Sequence, residues 1–148
     1  MDGPSQSVFK VLLADDLEDD RILLKLALAH TSFIHIVGET SDGIETIAYL
    51  QGEGKYADRE KHPYPDLLLL DLKMPKRDGF EVLKWIREQR ISNLKVIVLS
   101  ASMDRADIQR SYHLGADFYQ AKPQVPEDRG SMLKALERYL VHSQKMGE

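Results

Sequence analysis

The stretch LLADDLEDD, residues 12–20, runs an apolar segment straight into five carboxylates: Asp15, Asp16, Glu18, Asp19 and Asp20. Like charges this close repel one another, raise carboxylate pKa values and destabilise a fold unless a cation sits among them. The apolar part belongs to a run, Val8–Ala14, that reads as a strand buried on both faces. A buried strand that aims acidic residues out of its end is the feature that the rest of the chain must explain.

Working outward, strand-like and helix-like runs alternate. Further strands are expected at Ile34–Gly38, Leu67–Leu70, Val96–Leu99 and Phe118–Ala121. The first, third and fourth strands are nearly continuous Val, Leu and Ile, as parallel strands covered on both faces require. The second and fifth carry His35 and Gln120 and read as edges. Amphipathic stretches lie between and after them, at about 20–30, 43–51, 79–89, 104–114 and 131–142. The first of these places Ile22, Leu23, Leu26 and Ala27 on one face, and the third is striped by Val82, Leu83 and Ile86. Asp104 and Ser131 can cap the starts of their helices, and Gly115 can stop the fourth. Five βα units in succession predict an α/β fold, a parallel sheet with helices on both faces. The Gly52–Pro65 segment, GEGKYADREKHPYP, is long for a connection in such a unit. It reads as a solvated loop, with a partner-contact loop bearing Tyr56 and Tyr64 as the other reading.

Composition narrows the function. With 148 residues the chain is expected to form one domain, residues 8–143, between a flexible lead-in (1–7) and a tail (144–148). The net charge of −4 argues against a nucleic-acid partner, which calls for a clustered basic excess. Without cysteine there is no disulfide, thiolate metal site or thiol nucleophile. The N-terminus MDGPSQS is not a signal peptide, and no apolar run approaches the ~20 residues that span a bilayer. A soluble, cytoplasmic protein with no membrane partner is the expectation.

In an open parallel sheet, ligands bind outside the carboxyl ends of the strands. The first strand ends on Asp15-Asp16, the third on Asp71, the fourth on Ser100, and Lys122-Pro123 follows the fifth. Singly, each has an ordinary explanation: Asp15, Asp16 or Asp71 could open an Asx-turn, Ser100 could cap a turn, and Lys122 could be a solvated surface lysine. Together they bring three carboxylates, a hydroxyl and an ammonium to one rim. Three carboxylates need a cation, and an all-oxygen donor set suits a hard ion, best of all Mg²⁺. Asp15 and Asp16 then form half of a metal site, while Glu18, Asp19 and Asp20 read as the acidic first turn of a helix. Such a constellation suits phosphoryl transfer onto Asp71, a competent nucleophile for an acyl phosphate. Lys122 and the metal would neutralise the phosphoryl oxygens, and Ser100 could donate to one of them.

VLLADD, SDGIETI, LLLLDLKMPKRDG, VIVLSAS and GADFYQAKP, in this order and spacing, resemble the receiver domain of bacterial two-component response regulators. The likeness covers about residues 8 to 140. It implies a flavodoxin-like, doubly wound five-stranded sheet of order 2-1-3-4-5. It also implies that Asp71 accepts a phosphoryl group from a histidine kinase or phosphotransfer protein. Asp16 and Asp71 would ligate Mg²⁺ directly, Asp15 mainly through water, and Lys73 through its backbone carbonyl. Lys122 would pair with Asp71 and the phosphoryl group, and Ser100 and Tyr119 would occupy the two switch positions. The Lys122–Pro123 bond matches one that is cis in the family, and the small cis penalty of X–Pro bonds permits it. The long Gly52–Pro65 loop resembles stand-alone receivers such as those that partner bacterial phytochromes, and the Gln124–Gly130 stretch is also slightly long.

A chain ending at Glu148 leaves little room for an output domain. The expected role is therefore a phosphorylation-controlled binding module rather than an enzyme, with self-phosphorylation from small donors and slow self-dephosphorylation at most. Phosphorylation would draw Ser100 and Tyr119 inward and repack the face of the fourth helix, fifth strand and fifth helix for a protein target or a phosphorylation-dependent homodimer. A haloacid-dehalogenase-type phosphatase also uses a strand-end Asp and Mg²⁺, but needs a second Asp where this chain has Lys73. A flavodoxin-like FMN binder would meet five carboxylates where it needs phosphate donors. A receiver fold used as a phosphorylation-independent scaffold is the remaining alternative.

Overall fold

The structure is a computed structural model and describes residues 8–146. Among these, strands and helices alternate as β1 (Phe9–Ala14), α1 (Glu18–Leu28), β2 (Ile34–Thr40), α2 (Gly43–Gln51), β3 (Leu67–Leu70) and α3 (Gly79–Glu88). They continue as β4 (Lys95–Ser100), α4 (Arg105–His113), β5 (Phe118–Ala121) and α5 (Arg129–Met146). The strands form one parallel sheet in the order β2-β1-β3-β4-β5. The sheet is thus the doubly wound α/β arrangement expected, with β2 and β5 at its edges. Residues 1–7, the expected lead-in, lie outside the described residues, as do 147 and 148. The last helix extends through Met146 and takes in most of the expected tail.

Side chains alternate across the central strands, so each strand feeds two apolar layers. Leu12, Ala14, Leu68, Leu70, Val96 and Val98 pack beneath α2 and α3. Val11, Leu13, Leu67, Leu69, Ile97 and Leu99 pack beneath α1 and α5, against Leu24, Leu28, Met132, Leu136 and Leu140. The helix starts are set by carboxylates: Asp42, Asp78 and Asp104 accept from the amides of Glu45, Glu81 and Ala106 at 2.7, 2.9 and 3.0 Å.

Three local expectations are corrected. The core face of α1 is Leu24 and Leu28, whereas Ile22, Leu23 and Leu26 are 42%, 41% and 59% exposed. Apolar residues fill both 22–24 and 26–28 around Lys25, so periodicity could not choose the stripe. The choice is made by Arg21 and Lys25, which both pair with Glu39 on β2 at 3.2 and 2.7 Å and thereby fix the helix's rotation. Ser131 does not start α5, because a 3₁₀ turn at Pro126–Asp128 winds directly into Arg129. Proline at the head of that turn supplies a helix-ready φ one 3₁₀ turn ahead of α5.

The Gly52–Pro65 loop is solvated along its outer side, where Glu53, Lys55, Asp58, Glu60 and Lys61 are exposed, but it does not display its tyrosines. Tyr56 is buried against Tyr49, with ring centroids 4.9 Å apart, and His62 closes edge-on over both rings at 5.2 and 5.9 Å. Arg59 donates to the carbonyls of Tyr49, Leu50 and His62 at 2.9, 3.1 and 3.2 Å. One guanidinium thus supplies a donor to the Leu50 carbonyl and a second donor to that of Tyr49, which also accepts from the Gly52 amide at 3.1 Å, and ties the loop back to the end of α2. Tyr49 in turn donates to Pro63 O at 2.9 Å, and its ring leaves no space for a Cβ at Gly38, which would stand 2.6 Å away.

Candidate functional site

The ends of β1, β3 and β4 and the residue after β5 meet at one rim because the ladders align them. The Asp71 amide donates to Ala14 O at 2.9 Å, and the Lys122 amide donates to Ser100 O at 2.8 Å. Asp15, Asp71 and Ser100 are all buried there, and Asp16 is partly exposed. The loop after Asp71 is held closed from inside. Leu72 and Met74 insert into the core, and the Gly79 amide donates to Leu72 O at 2.8 Å. A Cβ on Gly79 would stand 2.4 Å from Asp71 O, so only glycine allows α3 to start this close. Lys73 is carried to the rim by this turn, and its amide helps to stabilise the Asp71 carboxylate.

One carboxylate oxygen from each of Asp15, Asp16 and Asp71 lies within 4.8 Å of the other two. Oxygens sharing one Mg²⁺ stand about 3–4 Å apart, so a small contraction would seat the ion. Asp15 illustrates how the ordinary and the functional readings coexist. Its Oδ1 accepts from the Leu17 amide at 3.0 Å and forms the turn out of β1. Its Oδ2 is buried with no aligned hydrogen-bond donor among the described residues, facing Lys122 Nζ at 2.6 Å as an ion pair. A buried anionic oxygen short of donors, beside two more carboxylates, fits a hard divalent cation.

Lys122 Nζ also lies 2.9 Å from Asp20 Oδ2 and 3.1 Å from Asp71 Oδ2. Burial works against the ammonium, but the carboxylates of Asp15, Asp20 and Asp71 around it outweigh burial and hold its pKa well above the ordinary range. The Asp71 carboxyl moves the other way from a usual carboxylate. Burial, aided by the Asp15 charge and opposed by Lys122, pushes it up to about 6. It is therefore mostly ionised at neutral pH and more basic than a solvated aspartate, as suits a nucleophile.

Ser100 Oγ accepts from the Ser102 amide at 3.1 Å, which leaves its own proton free to be donated into the cleft. Ser102 is a hub that sequence reading missed. Its hydroxyl donates to Asp107 at 2.8 Å and accepts from the Asp104 amide at 3.2 Å. Its carbonyl accepts from the Tyr119 hydroxyl at 2.6 Å. Tyr119 is half-buried against the α2–α3 side of the core and does not touch the cleft; it meets the site through Ser102.

Asp16, Asp71, Lys73, Ser100 and Lys122 line a single cleft of about 320 Å³, with Asp15 beneath it. Asp20 lines it too. The sequence groups it with Glu18 and Asp19 as dipole-matched charge, and only the rotation of α1 separates it from them. The Lys122–Pro123 bond is trans, contrary to the cis expectation. The two isomers of an X–Pro bond differ by only about 0.5–1 kcal/mol, so the dipeptide permits cis without requiring it.

The family model described as "Response regulator receiver domain" matches residues 11–137. The response regulator Rcp1 of Synechocystis sp. is 33% identical over 130 residues, 87% of this chain and 86% of the relative. The phosphorylated cyanobacterial phytochrome response regulator RcpA is 36% identical with a TM-score of 0.80, covering 93% of this chain and 96% of that one. The Mn²⁺-bound form of Rcp1 gives a TM-score of 0.73 at 33% identity, over 88% and 94% of the two chains.

Proposed function

The chain belongs to the response regulator receiver domain family, and from that membership we propose that Asp71 is its phosphoacceptor in a Mg²⁺-dependent reaction. Receivers are the signalling domains of two-component systems, and the observation that carries the assignment to Asp71 is its setting. It is a buried carboxylate 3.1 Å from a mostly buried ammonium, in one cleft with the oxygens of Asp15 and Asp16.

An Asp71 oxygen attacks the phosphorus of a phosphohistidine; the new P–O bond forms as the P–N bond breaks, and the imidazole leaves. Asp15, Asp16, Asp71 and the Lys73 carbonyl would hold Mg²⁺, which offsets charge on the phosphoryl oxygens, and the Mn²⁺-bound Rcp1 relative supports a divalent ion here. Lys122 supplies a fixed positive charge to the same oxygens. Ser100 turns its free proton toward one of them, and in doing so loosens its bond from the Ser102 amide. That change reaches Tyr119 through the Ser102 carbonyl and α4 through Asp104 and Asp107, so the face formed by α4, β5 and α5 is the output surface. A protein target or a second copy of the chain binds there.

The phosphodonor is a histidine kinase or a phosphotransfer protein, and the likeness to a phytochrome response regulator supports a kinase of that class. Its histidine must approach over the rim, where exposed Leu17 borders the cleft and Ile22, Leu23 and Leu26 continue along α1. That apolar strip is the seat for the donor. No helix among the described residues is long and apolar enough to cross a membrane, and the reaction requires only the aqueous cell interior.

Intact-mass analysis after incubation with acetyl phosphate tests the assignment. Uptake of one phosphoryl group is expected with Mg²⁺ and not without it, and none in Asp71→Asn. Uptake by that variant would place the acceptor elsewhere.

A further inference from the structure

Lys122 has three ammonium protons and three carboxylates around it: Asp15 at 2.6 Å, Asp20 at 2.9 Å and Asp71 at 3.1 Å. Two of the three, Asp15 and Asp71, also belong to the cluster that fits a divalent cation; Asp20 does not. An ion shared by Asp15 and Asp71 carries the same sign as the ammonium and weakens its hold on both. Asp20 is the partner that survives this competition.

Its position is built in. Asp20 lies in the first turn of α1, and the neighbouring Arg21 clamps that turn to the end of β1 by donating to Asp15 O. The same arginine pairs with Glu39 at 3.2 Å. Beyond Asp20 lies a groove of about 270 Å³ between α1 and the start of α5, and both Asp20 and Lys122 line it as well as the cleft. The side chain of Lys122 is only 11% exposed, but the groove offers it a way out.

We propose that Asp20 is a positioning residue whose carboxylate keeps Lys122 beside Asp71 when a divalent cation claims Asp15 and Asp71. The inference rests on Asp71 being the phosphoacceptor. Asp20 touches neither phosphorus nor the acceptor oxygen; it acts through the lysine. It therefore secures the positive charge at the moment when the site is otherwise most hostile to it.

Two readouts on the Mg²⁺-saturated protein test this. In proton–nitrogen spectra of lysine side chains, wild type and Asp19→Asn are expected to show a slowly exchanging Lys122 ammonium. Asp20→Asn should lose that signal and Asp20→Glu regain it; persistence of the signal in Asp20→Asn overturns the proposal. In mass-resolved uptake from acetyl phosphate, Asp20→Asn should slow the reaction roughly tenfold, about 1.4 kcal/mol of barrier. Asp20→Glu should recover most of the rate, and adding Asp20→Asn to Lys122→Gln should cost nothing more. Faster uptake in Asp20→Asn would make Asp20 a repeller of anionic donors, and an equal loss without Lys122 would make its action independent of the lysine; either overturns the proposal. Failure of wild type to take up phosphate removes the phosphoacceptor reading instead, and the ammonium spectra still decide whether Asp20 holds Lys122.

Discussion

The Tyr119 hydroxyl donates a 2.6 Å hydrogen bond to the carbonyl of Ser102, two residues beyond the hydroxyl that lines the cleft. This bond ties the edge strand β5 to the loop that leads into α4. Tyr119→Phe keeps the ring in its half-buried place and removes only the bond. Stability should fall by about 1 kcal/mol, read by urea denaturation. Phosphoryl uptake at Asp71 should stay within twofold, while the amide signals of Tyr119 and Gln120 on β5 should stop responding to phosphorylation. A full response in the variant would show that Tyr119 plays no part in transmission.

Asp71 makes stability depend on pH in a definite direction. Its carboxyl titrates near 6 in the fold against 3.8 when unfolded, so the folded state holds the proton more tightly. Its contribution is fully present below pH 4 and is lost as the pH rises through about 6. The shift of about two units corresponds to on the order of 2–3 kcal/mol. Without divalent cation, Asp71→Asn should therefore be more stable than wild type at pH 7.5 and about equal at pH 4. Added Mg²⁺ should raise the wild-type melting temperature clearly at pH 7.5 and only weakly at pH 5, because protons and metal compete for the same oxygens.

Arg59 holds the long loop to the end of α2. Arg59→Ala leaves Leu50 O and His62 O without the donor that Arg59 gives them, while Tyr49 O keeps the Gly52 amide, and should cost about 1–2 kcal/mol. Limited proteolysis should then cut within residues 52–65 at a protease level that spares wild type. If the variant resists cleavage equally, the aromatic cluster of Tyr49, Tyr56 and His62 holds the loop unaided.

The two sides of α1 should respond in opposite ways. Leu24→Ala should cost about 2–4 kcal/mol as a cavity opens in the core. Leu26→Ser should stay within about 0.5 kcal/mol and leave uptake from acetyl phosphate unchanged. It should nonetheless slow transfer from a protein phosphodonor, since the exposed strip is where that donor sits. Unchanged transfer would move the docking surface off α1.

How much could be read in advance follows from the range of the forces involved. Continuous Val/Leu/Ile runs, helical periodicity and acidic caps are local signals, and they sufficed for the alternation of elements. The residues that end the strands followed, and with them Asp15, Asp16, Asp71, Ser100 and Lys122 at one rim. Neither the rotation of α1 nor the closure of the loop is local. Arg21 and Lys25 choose the buried face of α1 by reaching Glu39 on another strand. That choice exposes Leu23 and Leu26 and carries Asp20, rather than Glu18 or Asp19, to a lysine 102 positions away. Residues 52–65 looked polar and long, yet Arg59 meets the carbonyls of Tyr49 and Leu50 only once α2 exists. The sequence alone determined which chemistry stands at the ends of the strands, because backbone pairing aligns them. Tertiary packing decided which charges share the lysine, because a 2.9 Å contact depends on helix rotation and loop closure that no short window of residues encodes.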